Sequence, residues 1–298
     1  MNSSDTHLDS TDTSISVIRR LIEASGYAVI PQVIPQDLLS AVTADIWSHT
    51  RAHLSDRSSW YRRPQIRPVG VSEMYHYQSM WNIRQHPALH RVFSEIHGTD
   101  RLWVSIDRVG FKPPIDRENY PEFVRKPQIH WDEMRMEQYP NVPFYVQGVL
   151  ALEDTDEMMG GFICVPNIYR DLARFLDQRR VISKFSGENF SRFPDITGHE
   201  IVKVPARAGD LIVWSSLLPH TGGMNESEDR VRLCQYVTMN PVWYNEEDRK
   251  ARIACWQGNT KPPYQWAFGD KRKIEERRRA PAELTSLGRK LLGIDNWE

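Results

Sequence analysis

The sequence predicts a mainly β fold with flanking helices, in which two sheets face each other as a double-stranded β-helix, or jelly roll. Short runs that alternate or are wholly apolar recur between residues 27 and 240, most bounded by Gly, Pro, Asn or Asp, as in antiparallel sheet proteins. Metal-ligand side chains come from positions far apart in the chain, His130 and Asp132 on one run and His220 just after another, as facing sheets would bring together. No 20–50-residue repeat is visible, which argues against solenoids and propellers. The glycine pairs at 160–161 and 222–223 lack the spacing and the lysine of a phosphate loop.

Residues 1–14 are rich in Ser, Thr and Asp and read as a disordered leader, and 15–298 read as a single domain. Ile15, Ile18, Leu21 and Ile22 lie at helical spacing, with Gly26 free to take a left-handed cap. Residues 27–34 are apolar, are closed by prolines and read as a strand. From Gln36 on, Leu38, Leu39, Val42, Ile46 and Trp47 mark a second helix running toward Leu54. Residues 58–68 mix Arg62, Arg63 and Arg67 with Trp60 and Tyr61 and read as a solvated loop.

A third helix is expected within 80–97, packed through Leu89, Val92, Phe93 and Ile96. His86, His90 and His97 in this stretch are assigned surface or capping roles, because no acid or base motif accompanies them. Residues 101–112 alternate and read as one long core strand. Further strands are expected at 142–152, 162–166, 200–205, 210–214 and 230–240, with lid insertions near 113–126 and 168–199, the second opening with a helix at 168–176. The C-terminal tail reads as helical, and its charge run at 271–279 reads as a solvated face.

Ten Trp, eleven Tyr and ten Phe supply ample core for 298 residues. A formal net charge of −1 argues against a dedicated nucleic-acid binder. No stretch approaches the ~18 apolar residues of a membrane helix, and the start has no basic-then-apolar targeting pattern. With three scattered cysteines, Cys164, Cys234 and Cys255, read as buried thiols, the expected compartment is the cytoplasm. The expected partner is a small-molecule substrate, and the oligomeric state is left open.

The chemistry concentrates in two stretches. His130 and Asp132 lie two apart, on one face of an extended strand, while Glu133 points to the other. His220 is the candidate third ligand. Two histidines and one carboxylate on one face of a metal leave the opposite positions open, the arrangement of non-haem Fe(II) enzymes that seat a co-substrate beside oxygen. Arg230 and Arg232 follow in a strand-like run, where a guanidinium suits a bidentate grip on a carboxylate. The set is what an iron and 2-oxoglutarate dioxygenase needs. A zinc hydrolase is the rival chemistry, though it leaves the arginine without a role. A non-catalytic metal-binding jelly roll is the alternative of another class.

These residues resemble the phytanoyl-CoA dioxygenase (PhyH) family of Fe(II)/2-oxoglutarate oxygenases. So do G-Y-A-V-I-P at 26–31, Trp131, L-A-L-E-D-T at 150–155, G-G-F-I-C-V-P at 160–166, A-G-D-L-I-V-W at 208–214, and Asn225 with Ser227. The resemblance spans roughly residues 15–241, with Asn167 standing where the family usually has Gly. It implies a cupin-like jelly roll with Fe(II) held at a catalytic centre of His130, Asp132 and His220, 2-oxoglutarate as cosubstrate, and O2. It favours Arg230 over Arg232 for the distal carboxylate of 2-oxoglutarate. Thr221 and Asn225 are expected to add polar contacts near the cosubstrate, and Trp131 and Trp214 to fill core. The activity it implies is oxidation, foremost hydroxylation, of an aliphatic C–H bond in a small organic substrate, with release of succinate and CO2. Asp132 occupies a position that related halogenases leave for halide, so halogenation is not expected.

Overall fold

The computed structural model describes residues 15–131, 141–178, 193–242, 245–264, 266–278 and 280–297. The leader expected over 1–14 lies outside them. Two antiparallel sheets dominate. The larger contains, from edge to edge, β1 (Tyr27–Ile30), β8 (Leu211–Ser215), β5 (Val146–Ala151), β10 (Arg232–Tyr236), β4 (Val109–Lys112) and β2 (Val71–Ser72). The smaller contains β7 (Val202–Val204), β6 (Phe162–Cys164) and β9 (His220–Gly222), and His130 extends it through an antiparallel bridge to His220.

Alternation along the strands explains why the sheets face each other. In a strand, successive side chains point to opposite faces. Tyr27 and Val29, Val149 and Ala151, Ile212 and Trp214, and Cys234 therefore share one face of the larger sheet, and they pack with Phe162, Cys164 and Val204 of the smaller one. The intervening residues Ala28, Ile30, Leu150, Leu211, Val213 and Leu233 bury the opposite face. Helices α1 (Ile15–Ser25), α2 (Gln36–Thr50), α3 (Gln78–Arg84) and α4 (Pro87–His97) cover that face through Ile18, Ile22, Leu39, Val42, Ile46, Met80, Trp81, Leu89 and Phe93. The outer face of the smaller sheet is closed by α5 (Pro166–Arg170) and the helical stretch at 172–178, around Trp131, Ile163, Ile168, Leu172 and Leu176.

Several expectations change in detail. The helix expected within 80–97 is two helices, because Pro87 cannot continue the first; His86 accepts from the Ala88 amide and Gly98 closes α4 in a left-handed conformation. The run 101–112 divides into β3 (Leu102–Val104) and β4. β3 leaves the main sheet to pair with β11 (Met239–Pro241), so the run expected over 230–240 divides too. Residues 57–61 form a short 3-10 helix that buries Trp60 and Tyr61, and Tyr61 donates to the Pro114 carbonyl at 2.7 Å; the aromatic side chains explain why this segment is not a solvated loop. The charge run at 271–279 is only partly solvated. Glu275 is buried and accepts from the Tyr75 and His76 amides, while Arg272 donates to the His49 carbonyl. His90 and His97 bond the carbonyls of Asp100 and Met239, which fits structural roles. Of the second lid insertion, residues 179–192 lie outside the described residues.

Candidate active site

The site is built where β9 meets the inner face of the larger sheet. His220 and Gly222, two residues apart on β9, point inward, and Thr221 between them points outward beside Ile163. The His130–His220 bridge has both backbone bonds at 3.0 Å and sets the two rings 5.3 Å apart between centroids. The His130 Nδ1 lies 2.7 Å from the Gln128 carbonyl and the His220 Nδ1 lies 2.8 Å from the Leu218 carbonyl. A carbonyl can only accept, so each Nδ1 carries a proton and Nε2 is the nitrogen that would bind a metal. This backbone-fixed tautomer is the one that metal-binding histidines use.

Around His220 the wall is aromatic. Trp214 lies 4.9 Å from its ring and Phe162 5.7 Å, and the two aromatics are 4.6 Å apart. Trp214 donates to Gln147 Oε1 at 3.0 Å, which fixes its plane. It therefore both fills core and forms the side of the site. Trp131, in contrast, is fully buried on the outer face of the smaller sheet, its indole N–H bonded to the Leu217 carbonyl. Asp132, the expected third ligand, lies outside the described residues. Among the described residues no group of three His, Cys, Asp or Glu side chains gathers as a metal cluster.

The two arginines are placed differently. Arg230 precedes β10, is half exposed and pairs with the equally exposed Asp156, so it faces solvent. Arg232 is the first residue of β10 and is 5% exposed, on the inner face that it shares with Cys234 and Tyr236. Its guanidinium bonds Tyr236, and its Nε has no hydrogen-bond partner among the described residues. A buried cation with an unused donor and no described carboxylate beside it is fitted to an anion that arrives from outside.

Thr221 and Asn225 are not brought to this space. Thr221 faces away from His220. Asn225 is fully buried, but its amide donates to the carbonyls of Lys112 and Arg230, and its oxygen accepts from the Ser227 amide and hydroxyl, so it braces the turn after β9. Sequence reasoning missed Lys112, Tyr236 and Phe162. Period-two spacing from Arg232 reaches Tyr236, whereas Lys112 and Phe162 enter through strand pairing.

A profile of the phytanoyl-CoA dioxygenase (PhyH) family matches residues 22–234. A Dictyostelium discoideum protein named for the same family is 21% identical over 262 residues, 74% of this chain and 74% of its own. Among solved structures, the fold is similar to that of the Candida albicans GlcNAc-inducible gene 2 protein, with a TM-score of 0.67 and 12% identity over 94% of this chain and 76% of that one. It is similar also to the epimerase SnoN, crystallised with Fe3+, α-ketoglutarate and nogalamycin RO, with a TM-score of 0.53 and 15% identity over 91% of this chain and 96% of that one. At these identities the structural likeness concerns the fold, a cupin-like double-stranded β-helix.

Proposed function

The chain belongs to the phytanoyl-CoA dioxygenase family of Fe(II)- and 2-oxoglutarate-dependent oxygenases, and from that premise we propose that it hydroxylates an aliphatic C–H bond of a small organic substrate. The observation that carries the reading is the pairing of two histidines fixed in the metal-binding tautomer with a buried arginine whose Nε has no partner among the described residues. His130, Asp132 and His220 would hold the iron, and Arg232 the distal carboxylate of 2-oxoglutarate. Iron with 2-oxoglutarate and O2 supplies a two-electron oxidation in which the keto acid is converted to succinate and CO2, one oxygen atom entering the succinate and the other the substrate.

The residues of this chain contribute orientation and shielding. The Gln128 and Leu218 carbonyls hold the two imidazole planes through Nδ1, so that Nε2 is the nitrogen that would meet the metal. Arg232, anchored by Tyr236, orients an incoming carboxylate from the inner face of the larger sheet. Phe162 and Trp214 line His220 with apolar surface and limit the water that reaches it. Zinc hydrolysis would give the buried Arg232 no anion to hold.

Screening for substrate-dependent succinate formation, with isotopically labelled O2, tests the proposal. One labelled oxygen in the product and one in succinate is the expected result. Succinate with an unlabelled, desaturated product would overturn hydroxylation, and the absence of succinate with every substrate that is itself transformed would overturn the oxygenase reading.

A further inference from the structure

Arg232 is not the only cation in this space. β10 and β4 are antiparallel with Arg232 directly opposite Lys112 and Cys234 opposite Gly110, so Lys112 shares the inner face with Arg232. Lys112 is half-buried by area, yet its ammonium is packed inside. Nζ donates to the Gly223 carbonyl at 2.6 Å, and a Cβ added to Gly222 would lie 3.1 Å from it. Gly222 is two residues along β9 from His220, on the same face. The lysine thus crosses from the larger sheet to the end of β9, the strand that carries His220.

Like charges directly opposite each other on one sheet face repel, more so where water is thin. Here no described carboxylate offsets the pair. Lys112 is influenced by its burial, then by Arg232, which together bring its ammonium down to about 7. The Gly223 carbonyl uses one of its three protons, and Arg232 Nε has no hydrogen-bond partner among the described residues. Two inward cations with no counter-ion among the described residues suit an anion with more than one acceptor oxygen.

We infer that Lys112 is a second cation of the cosubstrate pocket, receiving with Arg232 the carboxylate of 2-oxoglutarate remote from the metal, and so selecting a dicarboxylic over a monocarboxylic keto acid. This rests on the oxygenase reading above. The alternative is a purely structural lysine that staples the two sheets through Gly223.

Anaerobic titrations of the Fe(II)-loaded protein with 2-oxoglutarate and with 2-oxobutyrate, which lacks the distal carboxylate, separate these roles. Lys112→Gln can still donate to Gly223 without the charge, Lys112→Met cannot, and Lys112→Arg keeps the charge. Both neutral variants should bind 2-oxoglutarate at least about tenfold more weakly, as loss of a buried charge-assisted bond implies, while 2-oxobutyrate affinity is unchanged and Lys112→Arg restores selectivity. Lys112→Gln binding 2-oxoglutarate like the wild type would overturn the inference, as would equal losses for both acids. If Arg232→Met also binds 2-oxoglutarate like the wild type, the cosubstrate pocket itself is misplaced and the parent reading of Arg232 fails with it.

Discussion

Replacing Arg232 with Met removes the guanidinium while keeping much of its length, and the structure sets the size of the effect. At 5% exposure, an anion held there is weakly screened by solvent. Two charge-assisted hydrogen bonds of about 1.5–3 kcal/mol each place the loss at roughly 3 kcal/mol or more. At about 1.4 kcal/mol per tenfold, the cosubstrate Kd should rise by roughly a hundredfold or more. Arg230→Ala is the control. Its pair with Asp156 has both side chains about half exposed, at 48% and 50%, and such surface pairs are worth about 0–1 kcal/mol, so cosubstrate affinity should not change. Anaerobic titration of each Fe(II)-loaded variant with 2-oxoglutarate, read by calorimetry, gives the constants. Without cosubstrate, Arg232→Met should keep or gain thermal stability, since it relieves repulsion with Lys112. The reasoning is refuted if Arg230→Ala weakens binding while Arg232→Met binds normally.

Three further outcomes are expected. Gly160 has φ +68°, and a Cβ there would lie 2.6 Å from the Asn225 amide and 2.7 Å from the Gly223 carbonyl; Gly160→Ala should cost about 2 kcal/mol or more in urea unfolding and weaken metal binding through the turn after His220, and an unchanged midpoint would contradict this. Asn225→Ala removes the amide donor to the carbonyls of Lys112 and Arg230, of which the second keeps the Ser227 hydroxyl, so stability should fall by roughly 1–3 kcal/mol with near-normal cosubstrate affinity in the folded protein; loss of affinity at unchanged stability would restore Asn225 to the cosubstrate. Acid should also destabilise the fold. Burial holds His49 and His97 down to about 4 and His76 to about 3, against an ordinary 6.5, so below that value the unfolded chain binds more protons than the folded one. Their stability is present above pH 6.5 and lost as pH falls toward 4; Glu275, lifted to about 7 by burial, opposes them as a single group. Urea midpoints at pH 7.5 and 5 test this, with His97→Gln expected to flatten the slope and a flat wild-type profile contradicting it.

Local periodicity carried much of the fold. The apolar spacing from Ile15, the cap at Gly26 and the alternation through 210–214 each depend on neighbours within a few residues, and each corresponds to α1, its end and β8. Boundaries were less legible. The alternating run 101–112 conceals a change of partner between β3 and β4, because the pairing of β3 with β11 is decided more than 130 residues downstream. At the site, the facing of His130 and His220 follows from their strands. The choice between arginines did not, since period-two spacing places Arg230 and Arg232 on one face only if the strand reaches Arg230, and β10 begins at Arg232. Asp156, which holds Arg230 outside, is 74 residues away. Glu275 in its charged tail gave no local sign of burial, because the amides that hold it belong to Tyr75 and His76.

The most direct test of the metal centre is an anaerobic titration of the apoprotein with Fe(II) and then 2-oxoglutarate, following the charge-transfer absorption that chelation of iron by the keto acid produces, in the wild type and in His220→Ala. A single saturable iron per chain, with a band that forms in the wild type and is lost in a folded His220→Ala, is the predicted result. Iron binding without any such band, or an identical band in His220→Ala, would contradict the assignment of this site.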